Sequence, residues 1–420
     1  MDRGLKFTVS QIVKFCILIV VLLDYNFFYL IRQPSWLQQL NSKSTKILIG
    51  GLIILLALFV VTRRELITRY RFLFRMECGI IIAVVCVGVC TLLHYKDQGV
   101  SSTIRIMMPY FIPLLAFPIL YLVEYGGFSW RNVLGTIEKV VFIWYVVSII
   151  SFVVYQKTGS NFLIEFFTDD QITTRNASIR MAMFSFGNVA LFYNLECWLN
   201  NVNWKKLWYF MNLILGVFCV FFVQSTRMFY LADSLGMFIV LLFSGKTKKK
   251  KVRNIAIIMI VLMVLIQTNT ISNFIDSILY GNDVYRYNST EVRVGAYSYY
   301  INAFLRNPLY ALGFVSDGVY PTIAHGTLGV YNFSDVGFVG LLGQTGVFAV
   351  LIVGIPYLRM LWISLQLLKK KRGKEYSFLI ALAVYFLVTS MSIIATAPAY
   401  AMILPFAYSG FEYVWKRERI

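Results

Sequence analysis

The sequence predicts an all-α polytopic integral membrane protein. Three observations predict it. First, 59% of the 420 residues are hydrophobic and mean hydropathy is +0.69, whereas soluble domains are roughly 45–50% apolar. Second, runs such as 47–61, 78–93 and 254–266 are almost free of charge. They approach the ~20 residues needed to cross a ~30 Å hydrocarbon core. Third, the basic residues gather in alternate loops, where orientation signals sit.

Hydropathy places about twelve spans, at 12–31, 46–62, 76–95, 104–124, 139–156, 181–200, 207–224, 228–244, 254–270, 334–357, 377–395 and 398–415. One set of loops, with "RRELITRYRFLFR", "GKTKKKKVR", "KKKRGK" and "KRERI", carries 26 Lys and Arg; the other carries 12. The positive-inside rule then puts both termini in the cytoplasm, and an even number of spans agrees. Residues 1–420 read as a single polytopic domain of the cytoplasmic membrane. The first apolar run ends in "DYNFFYLIR", without a small-residue cleavage site, so no cleavable signal peptide is expected.

The same distribution explains the net charge of +19 without nucleic acid, which is not expected as a partner. Cys16, Cys78, Cys86, Cys90, Cys197 and Cys219 lie in apolar runs and read as small buried hydrophobes. The two histidines and the carboxylates show no metal-ligand spacing, and there is no phosphate-binding G-x-x-x-x-G-K-[ST]. No metal and no cofactor are expected, so energy must come from a substrate or an ion gradient.

Two loops on the sparsely charged side are long. Residues 157–180 hold Asp169, Asp170, Arg175 and Arg180; residues 271–333 lie between spans nine and ten. The second contains "TEVRVGAYSYYINAFLRNPLYALGF", 290–314. Ser289 and Thr290 are N-cap types. Tyr297, Tyr300, Ile301, Phe304 and Leu305 follow at helical spacing, and Asn307-Pro308 ends the pattern. About thirteen residues are too few to span, so a short interfacial helix is expected. Arg293 falls in its first turn, where a bound anion would meet free N–H groups, the helix dipole and a guanidinium.

Other residues on that side have two readings each. Arg227, in "FFVQSTRMFYLADSLG", fits either a snorkelling anchor or a ligand for a lipid phosphate. Arg293 fits an anion ligand or a solvated surface residue, and so do Arg286 and Arg306. Asp233 reads as an interhelical polar contact or a functional ionisable group. Asp283, Glu291, Asp317 and Asp335 are the nearby acids. His325 and His94 are candidates for a general base or plain surface residues.

Three stretches together resemble a family. "STR" (225–227), "RVGAYSYYINAFLRNPLYALGF" (293–314) and "SDVGFVGLLGQTGVFAVL" (334–351) are similar, in this order, to elements of the O-antigen polymerase and O-antigen ligase superfamily. The resemblance implies a GT-C-like, metal-independent membrane glycosyltransferase, a Wzy-like polysaccharide polymerase. Its substrate would be an undecaprenyl-pyrophosphate-linked oligosaccharide, handled at the outer face of the membrane lipid, with a flippase and a chain-length regulator as possible partners. Carried over, Arg227 and Arg293 would bind the pyrophosphate, with Arg286 and Arg306 as further candidates. Family ligases carry a histidine near the return into the membrane. Here His325 lies ten residues before Asp335, and Asp335 stands at that point itself. His325 and Asp335 are therefore the candidate catalytic residues, and the departure favours a polymerase of capsule, exopolysaccharide or O-antigen. A ligase-type transferase or a lipid-linked oligosaccharide flippase is the alternative.

Overall fold

A computed structural model describes residues 8–24, 27, 42–160, 172–175, 178–181, 185–200, 205–224, 226–244, 252, 284–326, 328–392 and 401–418. The side chains of 42–48, Val61, Arg227, 284–290, Ser185 and most of the 172–181 hairpin fall outside the description as well. The expected span 254–270 lies outside the described residues.

The first helices are α1 (Val9–Asp24), α2 (Ser42–Val61), α3 (Arg64–Arg69) and α4 (Arg71–His94). A composite rod follows: α5 (Val100–Met107), a 3₁₀ stretch (Met108–Leu115) and α6 (Ala116–Glu124). Pro109 and Pro113 lack the N–H that α-helical bonding needs there, which suits the tighter turn. Helix α7 (Trp130–Thr158) starts earlier than hydropathy suggests. Ser129 Oγ caps it by accepting from Asn132 N at 3.1 Å, and Gly159 ends it at φ 68°.

A hairpin, β1 (Ile172–Arg175) and β2 (Ser178–Met181), pairs antiparallel with Thr173 opposite Arg180. Then come α8 (Ser185–Asn200), α9 (Lys205–Phe218) with a π segment (Cys219–Gln224), and α10 (Arg227–Phe243). The last part holds α11 (Val284–Arg306), α12 (Pro321–Ala324), a 3₁₀ turn (Phe333–Val336) and α13 (Gly337–Thr345). A π segment (Val350–Gly354) runs into α14 (Ile355–Lys369), followed by α15 (Ser377–Thr389) and α16 (Leu404–Arg417).

Among the described residues, five helices are long and apolar enough to cross a membrane: Arg71–His94, Val100–Glu124, Trp130–Thr158, Lys205–Gln224 and Val350–Lys369. Shorter apolar helices cover Ile49–Val60, Met228–Phe243 and Ser377–Thr389. One contiguous core joins them, with Trp144, Tyr145, Phe192 and Phe386 fully enclosed.

Two expectations need correction. A single span over 334–357 is not present: the chain breaks at Gly346, whose φ of 61° and ψ of −146° are accessible in practice only to glycine. Helix α13 has nine residues, about 13 Å at 1.5 Å per residue and too short to cross. The long apolar helix is Val350–Lys369 instead. Hydropathy runs across the break because both sides are apolar. The helix expected at the interface is also longer than expected, 23 residues from Val284. Arg293 is therefore nine residues in from its start, not in its first turn, and the helix-terminus argument does not apply to it.

Long-range polar contacts sort the bundle into two ends. At one, Arg69 Nη1 pairs with Glu124 Oε2 at 2.8 Å, Arg131 Nη2 with Glu196 Oε1 at 2.7 Å, and Arg372 Nε with Glu418 Oε2 at 3.2 Å. At the other, Thr91, Gln98 and Asp97 bond to the loop after α11. The first group lies in or beside loops that the charge count assigns to one side, the second in or beside loops assigned to the opposite side.

Candidate functional site

The site is built where α11 crosses α13. Gly337, Gly340, Gly343 and Gly346 recur every third residue, and each permits a close approach. A Cβ on Gly343 would lie 2.4 Å from Tyr300 Cβ; on Gly340, 1.9 Å from Phe333 O; on Gly346, 2.4 Å from Leu309 O; on Gly337, 2.1 Å from Ser390 O. All are far inside van der Waals contact. The spaced glycines thus let a helix, a turn and two carbonyls rest directly on α13.

The "NPLYALGF" turn is sewn to the end of that helix by backbone. Leu312 N donates to Gly343 O at 3.1 Å, Gly313 N to Gln344 O at 2.8 Å, and Val347 N to Pro308 O at 2.8 Å. Its far side is held by side chains acting as strand mimics. Gln98 Nε2 donates to Phe314 O at 2.7 Å while Gln98 Oε1 accepts from Ser316 N at 2.8 Å. Thr91 Oγ1 accepts from Phe314 N at 2.9 Å. The loop is therefore ordered by satisfied backbone groups.

On this platform α11 carries Arg293, Tyr297 and Tyr300 on one face, at i, i+4 and i+7. Tyr300 is buried with Ala296 and Val336, and its hydroxyl donates to Ala324 O at 3.0 Å. The Tyr297 hydroxyl donates to Met391 O, just beyond α15. Arg293 is exposed and makes no hydrogen bond or ion pair with any described residue. Asp335 is its electrostatic neighbour. The carboxyl keeps solvent access, yet the protein around it raises its pKa, and the Arg293 charge pulls it the other way.

His325 follows α12 and is half-buried. Its Nδ1 lies 2.8 Å from Tyr331 O. A carbonyl can only accept, so Nδ1 carries the hydrogen and, in the neutral ring, Nε2 keeps its lone pair. Tyr331 packs against Tyr299 of α11, ring centroids 5.6 Å apart, and against Gly295. The histidine is thus tied to the helix that bears Arg293.

The other predicted arginines divide. Arg306 is thirteen residues after Arg293 on the same helix, about 20 Å along its axis, too far to share one pyrophosphate with it. Arg286 precedes Arg293 by seven residues, close to two turns. Arg227 opens α10, with Thr226 extended at the N-cap position and making no side-chain cap bond. Helices α10 and α15 run antiparallel: Phe229 stacks on Tyr385 at 6.5 Å, and Ser244 Oγ meets Ser377 Oγ at 2.9 Å. The start of α10 therefore lies at the same end as Met391, which Tyr297 of α11 grips. The start of α10, with Arg227, and the helix bearing Arg293 thus lie at the same end of the bundle. His94, the other histidine, sits there too, its ring 6.3 Å from Tyr310.

Sequence reasoning missed a buried polar cluster below that turn. Asn188 Nδ2 donates to Asp233 Oδ2 at 2.6 Å and to Gln224 Oε1 at 3.2 Å. Asp233 does make the interhelical contact that is one of its two sequence readings. Asn188 and Gln224 carry no signal in the sequence beyond being amides within apolar runs. A separate cavity, lined by Trp130, Arg131, Tyr193, Glu196, Tyr376 and Tyr413, lies at the opposite end and touches none of these groups. No protein-family model and no curated protein matches this chain.

Proposed function

We propose that this protein is a polymerase of lipid-linked oligosaccharide repeat units, a GT-C-like enzyme of about twelve spans with both termini in the cytoplasm. It would transfer the growing glycan from undecaprenyl pyrophosphate to the next lipid-linked unit at the outer face. The observation that carries this reading is Arg293. It is an exposed guanidinium that pairs with no described residue, on a helix locked to the glycine platform, at the end of the bundle where α10 begins with Arg227. Fixed cations of this kind favour a leaving group that gains negative charge as it departs.

In this reading an acceptor hydroxyl attacks the anomeric carbon. The bond from that carbon to the pyrophosphate oxygen breaks, and both electrons leave with the pyrophosphate, which Arg293 and Arg227 neutralise. The hydroxyl proton passes to a base, either His325 Nε2 or Asp335. Arg286, two turns before Arg293 on the same helix, would join these cations, whereas Arg306, about 20 Å along the axis, would serve elsewhere. No nucleotide or metal is required, because the lipid pyrophosphate is itself the activated donor.

The test is chain length in a strain whose own copy is replaced. Alanine at Arg293 or Arg227 should leave lipid-linked single units outside with normal protein levels. Arg306→Ala should leave chain length normal. Normal chains in both Arg293→Ala and Arg227→Ala would sink the pyrophosphate assignment. Loss of all units from the outer face would instead indicate the flippase reading. Intact chains that are not handed to a final acceptor would indicate a ligase.

A further inference from the structure

Asn188, Asp233 and Gln224 come from three elements, α8, α10 and the π segment. Asn188 and Asp233 are completely enclosed, and Gln224 is 3% exposed. Asn188 Nδ2 spends both hydrogens, on Asp233 Oδ2 and Gln224 Oε1. Within this cluster three buried atoms then have no partner among the described residues: the donor Gln224 Nε2 and two oxygens, Asp233 Oδ1 and Asn188 Oδ1. Both oxygens are acceptors, and they sit on the same two side chains that already share one hydrogen bond. At zero exposure no water-sized space touches either residue, so a bridging water is not the remedy. Tyr145, the other polar group within electrostatic reach of Asp233, has given its hydroxyl hydrogen to Gly187 O at 2.5 Å.

We propose that Asp233 is a neutral carboxylic acid whose Oδ1–H donates to Asn188 Oδ1, closing a two-bond ring with the Asn188 Nδ2–H donated to Asp233 Oδ2. One hydrogen satisfies both orphan oxygens. An ionised carboxylate would leave both oxygens without a donor in a fully enclosed site, at a cost that such sites do not sustain. The ring fixes Asn188, and Asn188 fixes Gln224, the last residue of the π segment. Two residues later Thr226 stands at the N-cap position of α10, and its Oγ1 donates back to Gln224 O at 3.2 Å instead of capping the helix. Asp233 is thus a positioning residue for the Thr226–Arg227 turn. Its consequence for glycan chain length rests on the function proposed above; the ring itself does not.

Asp233→Asn and Asp233→Ala separate the possibilities in the purified full-length protein. An asparagine can rebuild the ring, with Nδ2 donating to Asn188 Oδ1 and Oδ1 accepting from Asn188 Nδ2. Asp233→Asn should therefore melt close to the native protein, whereas Asp233→Ala should melt several degrees lower. Infrared difference spectra at neutral pH should show a carboxylic-acid carbonyl band that Asp233→Asn removes. In the replaced strain, Asp233→Ala should shorten chains and Asp233→Asn should restore them. The proposal is overturned if no such band is lost, or if Asp233→Asn is as destabilised as Asp233→Ala. It is also overturned if sodium, against choline, stabilises the native protein but not Asp233→Asn, since that outcome makes the site a cation site. If Arg293→Ala and Arg227→Ala both keep normal chains, the functional reading fails while the infrared and melting results still decide the ring.

Discussion

Arg293 and Asp335 are electrostatic neighbours that do not form an ion pair. The protein around the Asp335 carboxyl, which keeps solvent access, raises its pKa, and the Arg293 charge lowers it without cancelling the rise. Arg293 feels this carboxylate yet pairs with no described residue, so its donors face away from the described protein, which is why the pair anchors the functional reading.

The sign of that shift gives a stability prediction. A carboxyl whose folded pKa is raised stabilises the fold in its protonated form, and that stability is lost as pH rises through the folded pKa. Asp335→Asn should therefore melt higher than the native protein at neutral pH. The gap should close as pH falls toward the unperturbed value of 3.8. Arg293→Ala removes the offsetting charge and should make native Asp335 more costly at neutral pH, so Asp335→Asn should gain more in that background. Melting curves of the four proteins from acid to neutral pH check both statements; an Asp335→Asn gap that is flat with pH refutes them.

His325 can be tested through its two nitrogens. Nδ1–H serves the Tyr331 carbonyl, so asparagine, whose Nδ2 can stand in for Nδ1, should preserve the loop. It has nothing in place of Nε2. As a catalytic base His325 should lose about 10²–10⁴-fold in rate on replacement by asparagine as by alanine. Transfer between purified lipid-linked units measures this. Wild-type rates in His325→Asn would reduce the residue to a loop clasp and leave Asp335 as the base.

The glycine platform predicts graded damage. Gly346→Ala combines a glycine-only conformation with a backbone carbonyl 2.4 Å from the new Cβ. Gly51 sits in α2 with nothing within 4 Å, so alanine there should be neutral or stabilising by up to about 1 kcal/mol. Gly346→Ala should cost more than the ~1–3 kcal/mol of backbone strain alone. It should also free the turn at 308–313, making it sensitive to protease. Equal melting of the two variants would refute the account.

Much of the helical framework was legible because apolar runs of the right length leave few alternatives. The aromatic face of α11 and its stop before Pro308 were legible for the same reason, periodicity and proline chemistry. Its start at Val284 was not, because "VYRYNSTE" has no apolar stripe and Ser289 and Thr290 look like caps. The break at Gly346 was hidden inside an apolar run, since hydropathy is blind to φ. The hairpin partners Thr173 and Arg180 left only a faint trace, β-branched residues in a polar loop. The Asn188–Asp233 contact was invisible because pairing across 45 residues is a property of the fold.

Ala311 offers the last prediction. It holds φ 49°, a left-handed conformation that a Cβ disfavours, and it is buried in the turn between Pro308 and Gly313. The chain keeps it there because Ala311 N donates to Asn307 O at 2.8 Å and the flanking residues are bonded to α13. The left-handed region costs a non-glycine residue roughly 1–2 kcal/mol. Glycine removes that cost, but its freer unfolded chain gives back about 0.4–1 kcal/mol. The balance favours Ala311→Gly by up to about 1.5 kcal/mol, less whatever the lost methyl contributed to packing. Ala311→Val should move the other way and by more, since a β-branched residue tolerates that conformation poorly. Melting of the purified variants decides it. If Ala311→Gly melts below the native protein, packing of the methyl outweighs backbone strain and the turn is held by its side chain.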